Sequence, residues 1–345
     1  MNQRRRVSLK DIANKLGVST ALVSYVLNDK FTDRIHPDTA RKIKAVAEEL
    51  QYHPNQIAKS LKNNKTFIIG LIVADISNLF SSGIARVIED EAKKYSYNVI
   101  FGSADEKLEK FDELIEIFVS RQVDGIILAS TAGSVGRLQY LQERNVPFVL
   151  IDRYFPEFNS VNSVVIDNYK ASFDAVKHLA ENKFNYPAMI TLQSDLHHLK
   201  DRSRGFNDAV IEYFGNQKAN IIELQEHEIG NKLEESLLKL LYSEKPVDSV
   251  FFSTNKIAIE GLSVLAKRKI KVPESLGVVC FDEADAYNVF NTSISFVKQP
   301  LMQIGHQAVR LLIDKINGIA CHENLVLNTQ LNIGHSSLNI SCPKI

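Results

Sequence analysis

Short apolar runs of strand length alternate with amphipathic stretches of helical length from Phe67 to Asp282. The apolar runs read FIIGLIVA, NVIFGSA, DGIILAS, PFVLID, VVID, AMITL, a stretch near 220–224, DSVFFST and GVVCFD. The helical stretches lie toward Tyr95 and near 107–121, 169–182, 202–214, 231–242 and 256–268. Apolar strands that alternate with helices are typical of parallel sheets covered on both faces. The pattern therefore predicts an α/β body with two doubly wound parallel sheets.

The charge of the chain is divided between its two ends. The chain has 345 residues, which is too long for one domain of ordinary size, and it is neutral overall. Residues 1–66 contain 13 Lys and Arg against 6 Asp and Glu, which gives a formal net charge of +7. The remainder contains 28 Lys and Arg against 35 Asp and Glu, which gives a formal net charge of −7. A compact basic segment joined to an acidic body predicts a module that binds a polyanion.

Two short helices are predicted in the basic segment. Ser8 and Asp11 have the spacing of a capping box, Gly17 can end the first helix in the left-handed conformation, and Ser19 can cap the second. The apolar residues at helical spacing are Leu9, Ile12, Ala13, Leu16, Val23, Val26 and Leu27. The pattern predicts a helix-turn-helix, although any helical hairpin with a glycine turn would share it.

A third helix is predicted from Pro37, a residue that favours the first helical turn. Its apolar face contains Ala40, Ile43, Val46, Ala47 and Leu50. About 50 residues make a marginal core, so we expect this segment to depend in part on a dimer partner, DNA or the larger body.

The second helix of a helix-turn-helix enters the major groove by its N-terminal half. This places four side chains toward base edges and phosphates: Thr20, Ala21, Ser24 and Tyr25. Tyr25 and Thr20 can donate and accept hydrogen bonds, whereas Ala21 offers only apolar contact. Arg6 is expected to contact phosphate without regard to sequence.

The junction after the third helix carries a specific motif, with Tyr52, Pro54 and Asn55 followed by Ala58-Lys59-Ser60-Leu61. Together with the helix-turn-helix, this motif resembles the headpiece and hinge of the LacI/GalR family of bacterial repressors, and the resemblance covers essentially the whole chain. It implies a hinge helix from about residue 55 to 62 that pairs with its dimer mate in the minor groove. Asn55, Ala58 and Lys59 are then DNA-binding residues, and Leu61 wedges between base pairs and kinks the duplex. The alternative for Leu61 is a buried linker residue.

The same resemblance implies the domain organisation. It gives an all-α helix-turn-helix headpiece at 1–53, a hinge helix and linker at 54–66, and an effector-binding and dimerisation domain at 67–345. The last is a periplasmic-binding-protein-like body of two doubly wound parallel-sheet lobes, with chain crossings near Asp167, Gln299 and residue 327. The N-lobe then spans about 67–167 and 299–327, and the C-lobe about 168–298 and 328–345.

A ligand cleft is expected at the carboxyl ends of the strands, where open α/β sheets bind ligands. The resemblance assigns six effector-binding residues: Phe80, Asp152, Arg153, Arg202, Asn255 and Asp282. A guanidinium and a carboxylate can hold several hydroxyl groups of a sugar, while an aromatic ring covers its apolar face. The alternative is that these polar residues are helix caps or salt-bridge partners.

Other chemistries lack support in the sequence. Asp195, His197 and His198 are expected to lie in a solvated loop rather than to bind a metal ion, since no HExxH pattern or nearby cysteine accompanies them. Neither GxxxxGK[ST] nor GxSxG occurs, so no cofactor and no enzymatic activity are predicted. Cys280, Cys321 and Cys342 lack CxxC spacing, and no apolar stretch is long enough to span a membrane. Because Lys10 and Asp11 interrupt any signal-peptide core, we expect a cytoplasmic protein.

These patterns predict a homodimeric transcriptional regulator that reads pseudo-palindromic operator DNA, with a tetramer left open. Its operator affinity is expected to depend on a small effector, a sugar or sugar derivative, and repression is the expected mode. One alternative is a cytoplasmic sugar-binding or sugar-modifying protein whose N-terminal helices serve assembly. Another is an architectural DNA protein, which would not need the cleft-forming body.

Overall fold

The structure is a computed structural model that describes residues 7–52, 65–156, 158, 161–215, 218–319 and 322–339. The chain divides into two compact units, Met1–Thr66 and Phe67–Ile345. No helix in the described parts of the chain combines the length and apolar character that a membrane span requires.

Three helices make up the described part of the first unit: α1 (Leu9–Leu16), α2 (Thr20–Leu27) and α3 (Pro37–Glu49). The predicted caps are present. The backbone amide and hydroxyl of Ser8 both donate to Asp11 Oδ2, at 2.8 and 2.7 Å, and Gly17 ends α1 with φ of 65°. The hydroxyl of Ser19 accepts from the backbone amide of Leu22 at 3.2 Å, which fixes the start of α2.

The helices enclose a small core of their own. Its buried members come from all three helices: Ile12, Ala13, Val23, Val26, Ile43 and Ala47. Each of them belongs to an apolar stripe predicted from the sequence. The helix-turn-helix is therefore formed by local capping signals together with a few long-range apolar contacts.

The second unit contains twelve strands and eight α-helices in its described residues. The strands are β1 (Ile68–Val73), β2 (Asn98–Ser103), β3 (Gly125–Leu128), β4 (Phe148–Ile151), β5 (Ser163–Ile166), β6 (Pro187–Leu192), β7 (Asn220–Leu224), β8 (Ser249–Phe252), β9 (Gly277–Phe281), β10 (Ser295–Lys298), β11 (Asn324–Leu327) and β12 (Gln330–Asn332). The helices are α4 (Leu79–Lys94), α5 (Leu108–Ser120), α6 (Val135–Glu143), α7 (Asn168–Glu181), α8 (His197–Phe214), α9 (Ile229–Leu241), α10 (Asn255–Lys267) and α11 (Leu301–Ile316).

The strands form two six-stranded sheets, as the βαβ pattern predicted. The N-lobe sheet has the order β11-β5-β4-β3-β1-β2 and is parallel throughout. The C-lobe sheet has the order β12-β10-β9-β8-β6-β7, and only its edge strand β12 is antiparallel. The chain passes between the sheets after β5, after β10 and after β11. Both sheets therefore have the same strand order, so each strand has an equivalent in the other lobe.

Five elements were absent from the sequence-based prediction: α6, β10, α11, β11 and β12. The three strands are only three or four residues long and are partly exposed, so they lack a continuous apolar run. Helix α11 does carry a buried stripe that includes Ile304, Ala308 and Leu312, which makes it readable from periodicity. Helix α8 begins at His197 rather than near residue 202, and this earlier start determines where its side chains lie.

Helices α7 and α8 approach each other closely at Gly205. A Cβ atom at this position would collide with the backbone carbonyl of Tyr169, which cannot turn away as a side chain can. Gly136 on α6 differs, because a Cβ atom there would meet nothing within 4 Å.

We predict that Gly205→Ala destabilises the second unit by about 1–3 kcal/mol, because the two helices must separate. Urea unfolding measures this change. The matched variant Gly136→Ala should be neutral or stabilising, since alanine favours a helix over glycine. Equal stability of the two variants would show that the α7–α8 contact is not a tight constraint.

Candidate functional site

The open face of α2 presents the side chains predicted to contact DNA. Thr20, Ala21 and Tyr25 are exposed, whereas Val23 and Val26 are buried on the opposite face. Ser24 is half-buried, so it is less accessible than the other three predicted residues. Arg6, Asn55, Ala58, Lys59 and Leu61 lie outside the described residues.

Tyr25 is held in place by a residue that the sequence did not indicate. Its ring packs edge-on against Phe31, with 5.0 Å between the ring centroids and an interplanar angle of 78°. Phe31 adopts a positive φ of 54° in the turn after α2 and is itself 52% exposed. Two adjoining exposed aromatic rings at the end of α2 form a preorganised contact surface.

A cavity of about 370 Å³ lies in the second unit, at the carboxyl ends of strands from both sheets. All six predicted effector-binding residues line it: Phe80, Asp152, Arg153, Arg202, Asn255 and Asp282. Residues outside the six effector-binding assignments also line it, including Asn78, Glu106, His198 and Gln299. The predicted residues thus come together around one cavity, although they are spread over more than 200 positions of the chain.

Arg202 links three elements of the C-lobe. Its Nε donates to Asn168 Oδ1 at 2.8 Å, and a terminal nitrogen donates to the carbonyl of Ser253 at 2.7 Å. Its guanidinium carbon lies 3.4 Å from the centroid of the Phe281 ring, which adds a cation–π contact. Arg202 is 3% exposed. Burial lowers its pKa, and the nearby carboxylates of Asp282 and Asp152 oppose that shift.

Asp152 and Asp282 occupy equivalent positions in the two lobes, directly after β4 and β9. Both have left-handed backbone conformations, with φ of 65° and 67°, which aspartate tolerates better than most residues. Burial raises the pKa of both carboxyl groups, while Arg153 opposes the shift at Asp152 and Arg202 opposes it at Asp282. The side-chain amide of Gln299 donates to Asp282 Oδ1 at 2.7 Å.

Arg153 is engaged within the N-lobe. It donates to both carboxylate oxygens of Glu106, at 2.8 and 2.5 Å, and to the carbonyl of Ser130 at 2.9 Å. Its Nε lies 3.4 Å from Asp152 Oδ2 but makes no hydrogen bond to a described residue. In this structure Arg153 is therefore mainly a salt-bridge partner, which is the alternative to effector binding that the sequence also allowed.

Asn255 connects the two lobes across the cleft. Its side-chain amide donates to Asn78 Oδ1 at 3.0 Å, and the same oxygen accepts from the backbone amide of Phe80 at the start of α4. The helix-cap alternative for Asn255 is wrong, because the cap of α10 is Thr254, whose hydroxyl accepts from the amide of Ile257 at 3.3 Å. A second polar contact between the lobes joins the Tyr154 hydroxyl to Asp201 Oδ2 at 3.4 Å.

The prediction of a solvated loop is wrong for His198. Because α8 begins at His197, His198 lies in the first turn of the helix, lines the cavity and is only 6% exposed. Its Nδ1 is buried and has no hydrogen-bond partner among the described residues. Burial, followed by the charges of Arg153 and Arg202, holds the pKa of His198 well below its usual range.

Asp195 does not take part in the same site. Its side chain is 93% exposed and pairs with Lys200 at 2.9 Å. The described residues contain no group of His, Cys, Asp and Glu that could hold a metal ion.

Two segments of the chain match known families. The model for bacterial regulatory proteins of the lacI family matches residues 8–55, and that for the periplasmic binding protein-like domain matches residues 176–337. Catabolite control protein A of Priestia megaterium is 31% identical over 313 residues, which cover 90% of this chain and 93% of that protein. The chain belongs to the lacI family of bacterial regulatory proteins.

Two further lacI-family relatives extend the comparison. The ribose operon repressor of Halalkalibacterium halodurans is 30% identical over 309 residues, which cover 90% of each chain. The crystal structure of the lac repressor dimer bound to operator and the anti-inducer ONPF has the same fold, with a TM-score of 0.82 at 19% identity, covering 97% of this chain and 100% of that one. The predicted function of a DNA-binding transcriptional regulator and the predicted fold are confirmed.

We predict that Tyr25→Phe changes base preference at one or two positions per half-site and costs about 1–3 kcal/mol of binding, because it removes only the hydroxyl and keeps the packing on Phe31. Selection of binding sites from a random duplex pool measures the preference. Arg6→Ala should instead weaken all sequences alike and reduce the salt dependence. Selection of an unchanged site by the Tyr25 variant would contradict the assignment.

We predict that the second unit loses stability as the pH falls below about 6.5, because an unfolded histidine takes up a proton there and the buried, neutral His198 does not. Between pH 7.5 and 5.5, the free energy of unfolding should fall by about 1.4 kcal/mol less in His198→Gln than in the wild type. Urea unfolding at the two pH values measures this difference. Burial also lowers the pKa of His178, so this residue still contributes to the dependence of stability on pH in the variant.

The exposed His227 supplies the control, because His227→Gln should follow the wild-type pH profile. Comparing variants also removes the contribution of Asp152 and Asp282, whose raised pKa values act in the opposite sense. An unchanged slope in His198→Gln would mean that the imidazole is protonated in the folded protein.

Proposed function

We propose that this lacI-family regulator is a homodimeric cytoplasmic repressor whose affinity for a pseudo-palindromic operator is controlled by a small carbohydrate. It has no catalytic role in this proposal. The observation that carries the proposal is the cavity, whose walls come from both lobes of a chain that also contains a DNA-binding headpiece. A binding protein without a regulatory role would not need the headpiece, and an architectural DNA protein would not need the cavity.

The DNA-binding part of the proposal assigns one half-site to each headpiece. Thr20, Ala21 and Tyr25 read base edges, and Ser24 lies at the margin of the contact because it is half-buried. The hinge segment, with Asn55, Ala58, Lys59 and Leu61, is assigned to the minor groove at the centre of the operator. The domain boundaries proposed above follow from the same assignment, with headpiece, hinge and body at 1–53, 54–66 and 67–345.

The ligand-binding part rests on the chemistry of the cavity walls. Asp282 and Asp152 provide buried acceptors, Arg202 provides a fixed cation, and the half-buried Phe80 provides an apolar surface. This combination suits a sugar, which has hydroxyl groups at its edge and an apolar face. The name of the ribose operon repressor indicates a sugar-linked relative, and the lac repressor dimer was crystallised with operator and the anti-inducer ONPF together.

Control of DNA binding requires a ligand that distinguishes two arrangements of the lobes. Phe80, Asp152 and Asn78 belong to the N-lobe, whereas Arg202 and Asp282 belong to the C-lobe, so one ligand can contact both. The hydrogen bond between Asn78 and Asn255 shows that polar groups of the two lobes are already within contact distance. A ligand that adds contacts on both sides shifts the equilibrium toward the arrangement that allows them.

The proposal is tested by measuring operator affinity with and without sugars that raise the melting temperature of the full chain. We expect a wild-type change of about 5- to 150-fold, and we expect Phe80→Ala and Arg202→Lys to lose the response while retaining ligand-free DNA affinity. Asp285→Asn, at an exposed position outside the cavity, is the control and should respond like wild type.

Two results would contradict the proposal. If Phe80→Ala and Arg202→Lys both respond like wild type, the site assignment is wrong. If no stabilising ligand changes operator affinity, the cavity does not regulate DNA binding. Duplex affinity that does not fall with ionic strength would count against phosphate contact by the headpiece and would favour the alternative of a sugar-binding protein.

A further inference from the structure

The turn that follows α2 has a fixed backbone. The amide of Lys30 donates to the carbonyl of Tyr25 at 2.8 Å, and the amide of Asp29 donates to the carbonyl of Val26 at 3.3 Å. These are the two hydrogen bonds of a Schellman motif, in which Asp29 adopts the left-handed conformation with φ of 47°. The Asp29 carboxylate also pairs with Lys44 of α3 at 2.8 Å. The turn is therefore attached to both helices.

Phe31 lies in this turn and has an unfavourable conformation. Its φ of 54° falls in the left-handed region, which bulky side chains rarely adopt because it costs free energy. Its ring is 52% exposed, so burial offsets this cost only in part. Phe31 belongs neither to the buried core of the headpiece nor to the partly buried residues packed against that core. A contact of the ring therefore explains this residue better than the folding of the headpiece does.

The ring of Phe31 contacts Tyr25 and is itself held in place. The edge-on packing of the two rings is an arrangement that aromatic pairs favour. The guanidinium carbon of Arg34 lies 5.9 Å from the centroid of the Phe31 ring, and the amide of Arg34 donates to the carbonyl of Phe31 at 3.0 Å. Tyr25 therefore packs against a fixed partner, while 39% of its own surface remains exposed.

A fixed tyrosine ring favours recognition of one sequence over others. An unrestrained side chain samples several rotamers, and only some of them bring the hydroxyl to a given base edge. Binding must immobilise such a side chain, and packing that selects the bound rotamer beforehand removes part of this cost. The gain applies only to duplexes in which the hydroxyl meets a base partner. Holding Tyr25 in one orientation therefore raises discrimination between sequences more than it raises affinity for DNA in general.

We propose that Phe31 is a positioning residue for base recognition, whose ring holds Tyr25 in the orientation in which the hydroxyl reaches a base edge. This inference rests on the proposed function, which assigns Tyr25 to base recognition. It adds a residue outside α2 to the determinants of operator choice. Phe31 acts through Tyr25 and makes no base contact of its own.

The test measures the DNA affinity of full-length variants on three duplexes. The wild type and Tyr25→Ala first select sites from a random duplex pool, which identifies the positions that Tyr25 reads. Fluorescence anisotropy then gives the affinity for the wild-type site, for that site with those positions replaced, and for an unrelated duplex. The ratio of the first two affinities measures discrimination. The third reports an intact headpiece, because non-specific binding depends on phosphate contacts.

The main variant is Phe31→Asn, which removes the ring but keeps a residue that tolerates the left-handed backbone. We expect discrimination to fall by about 3- to 10-fold, with affinity for the unrelated duplex unchanged. The matched variant Phe31→Tyr keeps the ring and should discriminate like the wild type. In a Tyr25→Ala background, Phe31→Asn should cause no further loss, because the ring that it positioned is gone.

The outcomes separate this inference from the proposed function. Equal losses of affinity on all three duplexes in Phe31→Asn would mean that Phe31 is merely structural and would overturn the inference. Unchanged discrimination in this variant would overturn it as well. A loss of discrimination that persists in the Tyr25→Ala background would also do so, because Phe31 would then contact DNA itself. If Tyr25→Ala selects the wild-type site, the assignment of Tyr25 in the proposed function is wrong, and this inference fails with it.

Discussion

The buried guanidinium of Arg202 is the interaction on which the ligand-facing wall of the C-lobe depends. A charge with 3% exposure is tolerated only where hydrogen bonds and an opposing charge replace water. Asn168 and the carbonyl of Ser253 supply the hydrogen bonds, the ring of Phe281 adds a cation–π contact, and the carboxylates of Asp282 and Asp152 supply the opposing charge. The first three contacts come from α7, the end of β8 and the end of β9. Satisfying one side chain therefore fixes three neighbouring elements relative to α8 and places Asp282 at the cavity.

The N-lobe meets the same constraint with different partners. Arg153 is buried against Glu106 and the carbonyl of Ser130, and Asp152 has the same left-handed conformation as Asp282. Because the two sheets share one strand order, these carboxylates come from equivalent strand ends and line a single cavity. A ligand between them contacts both lobes, which is the physical requirement for a change in lobe arrangement on binding. The Asn78–Asn255 hydrogen bond provides a ligand-independent link at the same place.

The headpiece is built on a different physical basis. Its order comes from caps at Ser8, Gly17 and Ser19, which are local features of the sequence, and from six buried apolar residues that pack between its three helices. Its basic surplus of +7 balances the acidic surplus of the rest of the chain, so charge as well as structure divides the two units. A regulator needs this division, because one unit must attract phosphates while the other recognises a small ligand.

The sequence by itself determined the elements whose signals are local or periodic. The capping box at Ser8, the glycine that ends α1 and the long apolar strands β1, β6 and β9 all follow from nearest-neighbour chemistry or from a repeat of two or 3.6 residues. It also indicated the six cavity residues, because the carboxyl ends of parallel strands are where such sheets bind ligands and because the family resemblance marked the positions.

Only the tertiary structure decided what these residues contact. Because α8 starts five residues earlier than expected, His198 lies in the cavity wall rather than in a solvated loop, and no local signal marked that boundary. The pairing of Arg153 with Glu106 and of Asn255 with Asn78 joins residues 47 and 177 positions apart. Contacts at such separations depend on how packed sheets bring strand ends together, and short edge strands such as β11 form only because a neighbouring strand is there to pair with them. The sequence thus set the elements and the composition of the site, whereas burial and long-range packing set its charges, its unpaired atoms and its geometry.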